Sequence, residues 1–269
     1  MKVFASGRTH AGRIRRKNED HFGINDELKV FVVADGMGGH KHGEVASAIA
    51  VRAVEEFIGE TAGEDVEQPF VAEEGLTPSA GRLKTGLQVA HDKVLRAIET
   101  DDSLRGMGTT MVAMLVDGDG AAIAHVGDSR AYLLRGGRMS RVTHDHTWVN
   151  EQVAAGHLSE EQARLHPLKN VVTRALGGAA AVEVDVQDVQ LEPGDMYLLC
   201  SDGLIAMLSD DEIAAELSAP RSLDESCDVL IARANERGGV DNITVVLVAT
   251  EEEPAGAAVA SASVETENS

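Results

Sequence analysis

A chain of 269 residues with 43% hydrophobic side chains is long enough to enclose a sizeable core as one domain. Its formal net charge of -21 argues against nucleic acid or an anionic membrane as partner, because both require a surface field of the opposite sign. Cys200 lies in an apolar run and Cys227 on a helical face, without the close spacing of a zinc site, so both read as buried thiols. No long apolar segment opens the chain, and no uninterrupted apolar stretch approaches the roughly 20 residues of a membrane span, so the expectation is a cytoplasmic protein, by default a monomer.

The chain opens on a basic segment, GRIRRKNED, whose Arg13, Arg15, Arg16 and Lys17 stand out in an acidic protein. The first clear strand is predicted over 30–34, ended by the turn DGMGGH. Ala46, Ile49, Ala50, Ala53, Val54 and Phe57 recur at three- and four-residue steps and predict a helix with one apolar face. Residues 59–81 carry Gly, Pro and acidic side chains without steady period and read as a surface loop. Leu83, Leu87, Ala90, Val94 and Ile98 then restart the helical pattern. TTMVAMLV and AAIAHVGDSRAYLL, separated by DGDG and followed by RGG, predict a meander of hairpins. The DGDG lacks the later acidic residue that closes an EF-hand and reads as a plain turn.

Residues 145–177 are polar and helical, with a capping box from Ser159 to Gln162 and a break at His166-Pro167, and read as an excursion from the sheets. A strand over 196–200 follows, then a helix opened by Ser209 with Glu212 and another opened by Ser222 with Glu225 and closed at Gly238-Gly239. The last strand is predicted over 243–249. Residues 251–269 form an acidic tail without large apolar side chains, for which disorder is expected.

Asp35, Asp202 and Asp241 lie far apart in the chain, yet each stands where an apolar run meets a tight turn: FVVADGMGG, YLLCSDG and GGVDNITVVLV. Asp35 and Asp202 follow their runs and Asp241 precedes its own, so an antiparallel sheet would deliver all three carboxylates to one edge. A lone Asp-Gly is most simply a turn. Several of them at strand ends also suit hard divalent ions, which want oxygen ligands, and Gly36 would let a backbone carbonyl approach such an ion. Two ions about 4 Å apart lower the pKa of a shared water toward neutrality and make it a nucleophile for a phosphoryl group. An Arg clamps phosphate oxygens with paired hydrogen bonds, and Arg15, four residues before Glu19, is the candidate.

In order, IRRKNED, VVADGMGGHKHGEVAS, GTTMVAML, AHVGDSRAYL, VTHDHTWVNEQVAAGHL, HPLKNVVTRALG, LLCSDGL and GGVDNITVVLV resemble the metal-dependent PPM (type 2C) Ser/Thr protein phosphatases in their compact bacterial form, over nearly the whole chain. The resemblance implies an α+β fold, a four-layer α-β-β-α sandwich of two mainly antiparallel sheets flanked by helices. It places a catalytic domain over 1–250 and a flap at about 145–177. It implies two Mn2+ or Mg2+ ions and in bacterial members a third. Asp35 looks like the bridging carboxylate, with the Gly36 carbonyl on one ion and Asp202 and Asp241 as further ligands. Glu19 and Asp20 match the acidic pair near the second ion, and Asp128 matches the ligand of the third. Asn242 is similar to the residue that steadies the last ligand, and His40 to the general acid that protonates the departing serine or threonine oxygen.

His144 and His146 are expected to position the start of the flap, and Arg174 to pin its end to the core. His10 departs from the family pattern, which more often carries an acidic residue there. The implied reaction is hydrolysis of phosphoserine and phosphothreonine in proteins that a cognate Ser/Thr kinase has phosphorylated. Two other readings compete. One is a catalytically silent relative that binds a phosphoprotein or kinase, whose mark would be loss of Asp35, Asp202 or Asp241. The other is a metal-dependent nuclease or small-phosphoester hydrolase, disfavoured by the lack of a basic groove.

Overall fold

The computed structural model describes residues 1–38, 42–63 and 75–252. Two strands, β1 (Lys2–His10) and β2 (Asp20–Asn25), precede β3 (Val30–Met37), where the apolar pattern had located the first. Both are edge strands, β1 in one sheet and β2 in the other. An edge strand with one solvated face needs few apolar residues, so KVFASGRTH and DHFGIN carry a weak signal.

Helix α1 (Gly43–Glu60) follows, then α2 (Pro78–Thr100), which begins inside the stretch read as a loop. The Thr77 hydroxyl accepts from the Ala80 N–H and Pro78 takes the first turn, a helix start that needs no apolar residue to announce it. The meander comprises β4 (Gly108–Thr109), β5 (Met111–Asp117), β6 (Gly120–Val126), β7 (Arg130–Arg135) and β8 (Arg138–Arg141). Helices α3 (Trp148–Ala154) and α4 (Glu160–Leu165) form the excursion, and Ser159 and Gln162 make the expected capping box. Strand β9 (Asp185–Gln190), unexpected because it is a polar edge, precedes β10 (Met196–Cys200). Short helix α5 (Asp202–Ile205) leads to α6 (Asp210–Leu217), α7 (Leu223–Glu236) and β11 (Ile243–Glu251). The acidic tail from residue 253 onward lies outside the described residues.

The strands form two sheets whose pairings are antiparallel, ordered β1-β11-β10-β7-β8 and β2-β3-β5-β6-β9, with β4 beside β3. Strand periodicity of two explains the layering. On β3, Val30, Val32 and Ala34 pack among the apolar residues of α1 and α2, while Phe31 and Val33 meet the opposite sheet. On β11, Ile243, Val245 and Leu247 pack with α6 and α7, while Val246 and Val248 turn inward. Central strands are therefore apolar on both faces, which is why they were visible as continuous runs, and the order of layers is α-β-β-α. Among the described residues no helix is long and apolar enough to cross a membrane.

This topology corrects one expectation. Asp35 lies on β3 of one sheet, whereas Asp202 and Asp241 flank β10 and β11 of the other, so the carboxylates converge across the sandwich rather than along one sheet edge.

Phe31 fills the space between the sheets at 1% exposure. Phe31→Ala should destabilise the fold by about 3–5 kcal/mol and lower Tm by on the order of 10 °C in thermal denaturation. A shift of about 1 °C would show that the inter-sheet layer does not hold the sandwich together.

Candidate metal centre

The β2–β3 register sets Asp20 directly opposite Asp35. The Gly36 N–H donates to the Glu19 carbonyl at 3.1 Å, and the Asp35 carbonyl accepts from Thr110 N at 2.9 Å and Thr109 Oγ1 at 2.8 Å. A Cβ on residue 36 would strike the backbone carbonyls of Gly43 and Glu19, so β3, the start of α1 and the 11–19 loop meet only because residue 36 has no side chain. Gly203 does the same on the opposite sheet: its missing Cβ leaves room for the Asn242 carbonyl, which brings Asp202 beside Asp241.

Five carboxylates therefore act on one another: Asp20, Asp35, Asp128, Asp202 and Asp241. Burial pushes Asp20 up to about 7, opposed by hydrogen bonds from Thr244 and Ser201 and reinforced by Asp202 and Asp241. Asp128 is likewise raised to about 7 by burial, then by Asp202 and Asp145. Asp35 is held well above the ordinary carboxylate range by burial and then by Asp20, Asp202, Asp128 and Asp241. Asp202 is raised by burial and Asp241, with a hydrogen bond to Asp35 and the charges of Arg15 and Arg130 opposing.

These side chains are only partly satisfied. Asp20 Oδ2 accepts from Ser201 Oγ at 2.8 Å and Thr244 Oγ1 at 2.6 Å, while its Oδ1 is buried without a partner among the described residues. Among the same residues Asp202 Oδ1 is buried without a partner too. Asp241 accepts from the Asn242 N–H at 2.8 Å and Arg15 at 2.6 Å. Orphaned carboxylate oxygens amid mutual repulsion are the donor set that hard divalent cations such as Mg2+ or Mn2+ take, and it fits them.

The remaining expected residues divide. Glu19 is engaged through its backbone: its N–H donates to Asn242 Oδ1 at 2.8 Å and its carbonyl accepts from Ser47 Oγ at 2.6 Å. Asn242 does more than steady its neighbour, since its Nδ2 also donates to the Ala11 and Lys17 carbonyls at 3.1 and 2.9 Å and so closes the 11–19 loop. His40 lies outside the described residues.

Ser201 and Thr244, which bond the buried Asp20, escaped sequence reasoning. Their one signal is a hydroxyl just past the apolar run of β10 and another inside that of β11. The start of the 145–177 segment is fastened from two sides. Asp145 accepts from Arg130 at 2.8 and 2.6 Å, and His146 takes both polar groups of Gly127, its N–H on the carbonyl at 2.9 Å and its Nδ1 on the N–H at 3.1 Å. Arg174 reaches Asp185 on β9 at 3.0 Å and Glu183 at 3.2 Å, which ties the far end of that segment to the sheet edge. His125, His146 and Asp185 offer ligand atoms within 4.8 Å of one another. The two rings nevertheless stack, centroids 4.6 Å apart and 20° between planes, and the Arg174 guanidinium already supplies the cation there.

The sequence model for protein phosphatase 2C matches residues 7–246. The chain belongs to the protein phosphatase 2C family. It is 42% identical over 249 residues to the serine/threonine phosphatase stp of Listeria welshimeri, covering 91% of this chain and 95% of the relative. It is 36% identical to protein phosphatase PhpP of Streptococcus pneumoniae, covering 92% and 97%. Its fold matches the Mycobacterium tuberculosis serine/threonine phosphatase PstP/Ppp with a TM-score of 0.82 at 34% identity over 93% of this chain and 99% of that one. It also matches the catalytic domain of PstP in complex with 2 manganese ions, with a TM-score of 0.79 at 33% identity and the same coverage.

His125 generates a prediction about pH. Burial lowers its pKa to about 4, although its Nε2–H donates to the His144 carbonyl at 2.8 Å. The unfolded chain therefore binds more protons between the ordinary value of 6.5 and about 4, so stability from this group is complete above that window and is lost as pH falls through it. The loss should approach about 3 kcal/mol, and His125→Gln should flatten the fall in Tm between pH 7 and 4.5 relative to wild type. Parallel curves for the two proteins would refute the assignment.

Proposed function

We propose that Asp35, the Gly36 carbonyl, Asp202 and Asp241 hold two divalent cations, with Asp20 and Glu19 serving the second and Asp128 a third. The convergence of five carboxylates with orphaned oxygens on Asp20 and Asp202 carries this reading. When bound, the cations activate a shared water for in-line attack on phosphorus. The chain is a metal-dependent serine/threonine protein phosphatase that uses manganese or magnesium and acts on phosphoproteins. Residues 1–250 are its catalytic unit, with the flap at 145–177.

Arg15 binds the phosphate oxygens in this scheme. It rests on Asp241 with half of its side chain exposed, which leaves it free to face an incoming dianion. His40 gives a proton to the departing serine or threonine oxygen, a step that an imidazole titrating near neutrality can support. Asn242 and Ser201 hold the loops that carry the carboxylates and leave the bond-breaking step to others. The enzyme works as a monomer in the cytoplasm, opposite a cognate Ser/Thr kinase.

The deciding assay compares phosphothreonine peptide, phosphotyrosine peptide and a small aryl phosphate, each with manganese and with chelator. Release from the phosphothreonine peptide that depends on manganese is expected, and release from the aryl phosphate alone would defeat the reading. Asp35→Asn removes one of the repelling charges. The metal-free variant should melt above the metal-free wild type, gain less Tm from added Mn2+, and lose turnover by at least about a hundredfold. An unchanged Mn2+-induced gain would take Asp35 out of the ligand set.

A further inference from the structure

The basic segment next to the metal centre is only partly used by the phosphatase chemistry. Four of the five residues 13–17 are cationic in a chain whose formal charge is -21. The loop that carries them is held rigidly. Arg13 N donates to the Gly239 carbonyl at 2.7 Å, Asn18 Nδ2 to Thr9 Oγ1 at 2.7 Å, and Asn242 closes the loop from Ala11 to Lys17. Gly12, at φ 77, lies against the Asp241 carbonyl where a Cβ could not fit, so this crest stands beside a residue of the metal centre.

Two of the four cations are committed, Arg15 to Asp241 and Lys17 to Glu44. Arg13 and Arg16 are exposed, and among the described residues their side chains have no ion-pair or hydrogen-bond partner. Between Arg13 and Arg15 stands Ile14 at 68% exposure, and Val240, immediately before Asp241, is 47% exposed. Two free guanidinium groups thus flank an exposed apolar side chain at the rim of the site.

From this placement we infer that residues 13–16 are a docking ledge for the peptide around the phosphorylated residue, and that it selects acidic side chains there. The inference rests on the phosphatase reading above. A dianionic phosphopeptide approaches an acidic protein against its overall field, which salt screens beyond roughly 8–10 Å. Inside that distance the local cations decide, and a guanidinium matches a carboxylate with two parallel hydrogen bonds. Ile14 covers the apolar stems of the same residues.

The test measures kcat/KM on three phosphothreonine peptides whose residues flanking the phosphothreonine are Glu, Ala or Lys, with manganese. Wild type should favour the Glu peptide over the Ala peptide by roughly two- to tenfold, through KM rather than kcat, and the ratio should shrink with added salt. The double variant R13E/R16E should abolish or reverse that ratio, whereas R52E/R96E, a charge reversal of the same size at exposed positions of α1 and α2, should retain it. Equal kcat/KM on all three peptides with wild type, or a preference that survives R13E/R16E, would overturn the ledge while leaving the phosphatase reading intact. Failure to turn over any of the peptides would overturn that reading, and the ledge with it.

Discussion

Repulsion among carboxylates in a partly closed space is the constraint on which this molecule turns. Burial and neighbouring carboxylates raise the proton affinity of Asp20, Asp35, Asp128 and Asp202, and Asp20 and Asp202 each carry a buried oxygen with no partner among the described residues. Placing such charges together costs free energy that Ser201, Thr244, Arg15 and Arg130 offset only in part. A fold keeps an arrangement of this kind when cations of high charge density complete it, and the stability given up in the empty state is the source of affinity in the filled one.

The sandwich supplies the rigidity that this strain requires. Central strands with apolar residues on both faces lock β3 and β11 between helices outside and the opposite sheet inside. Register then fixes the carboxylates: Asp20 must oppose Asp35, because a slip of one residue would turn Val30, Val32 and Ala34 away from the helices. Where the sheets meet at the site, Gly36 and Gly203 let backbones touch that any side chain would separate. The positions of Asp35 and Asp202 are thus consequences of core packing and two glycines rather than of flexible loops.

What the sequence disclosed follows from that physics. Runs such as VFVVA and ITVVLV are conspicuous because both faces are buried, so the central strands and the aspartates at their ends could be read directly. Edge strands β1, β2 and β9 could not, because half of each faces water and their polar residues resemble loop. The turn aspartates were legible as a set, but the convergence of two sheets was not, since strand order is a long-range property that local periodicity does not encode. Ser201 and Thr244 stayed hidden for a related reason: a hydroxyl inside or just past an apolar run acquires meaning only when its partner, Asp20, is known. Asp145 and His146 were marked by their motif, but their grip on Arg130 and Gly127 required coordinates.

In the phosphate-binding role proposed for Arg15, the same electrostatics would serve both the resting and the working enzyme. Its ion pair with Asp241 is short, 2.6 Å, but the two side chains are 52% and 28% exposed. Pairs of that exposure contribute about 0–1 kcal/mol, so exchanging the carboxylate for another anion costs little. A phosphoryl group presents several oxygens, and the proposed contact would use the bidentate geometry that a single contact to Asp241 Oδ2 does not use. Without substrate, Arg15 moderates the repulsion at the site it borders. In the proposed role the same side chain would turn to substrate without leaving an uncompensated charge in the interior, because Asp241 keeps its bond from the Asn242 N–H and its share of solvent. The exposure that makes the ion pair weak is therefore what makes Arg15 available.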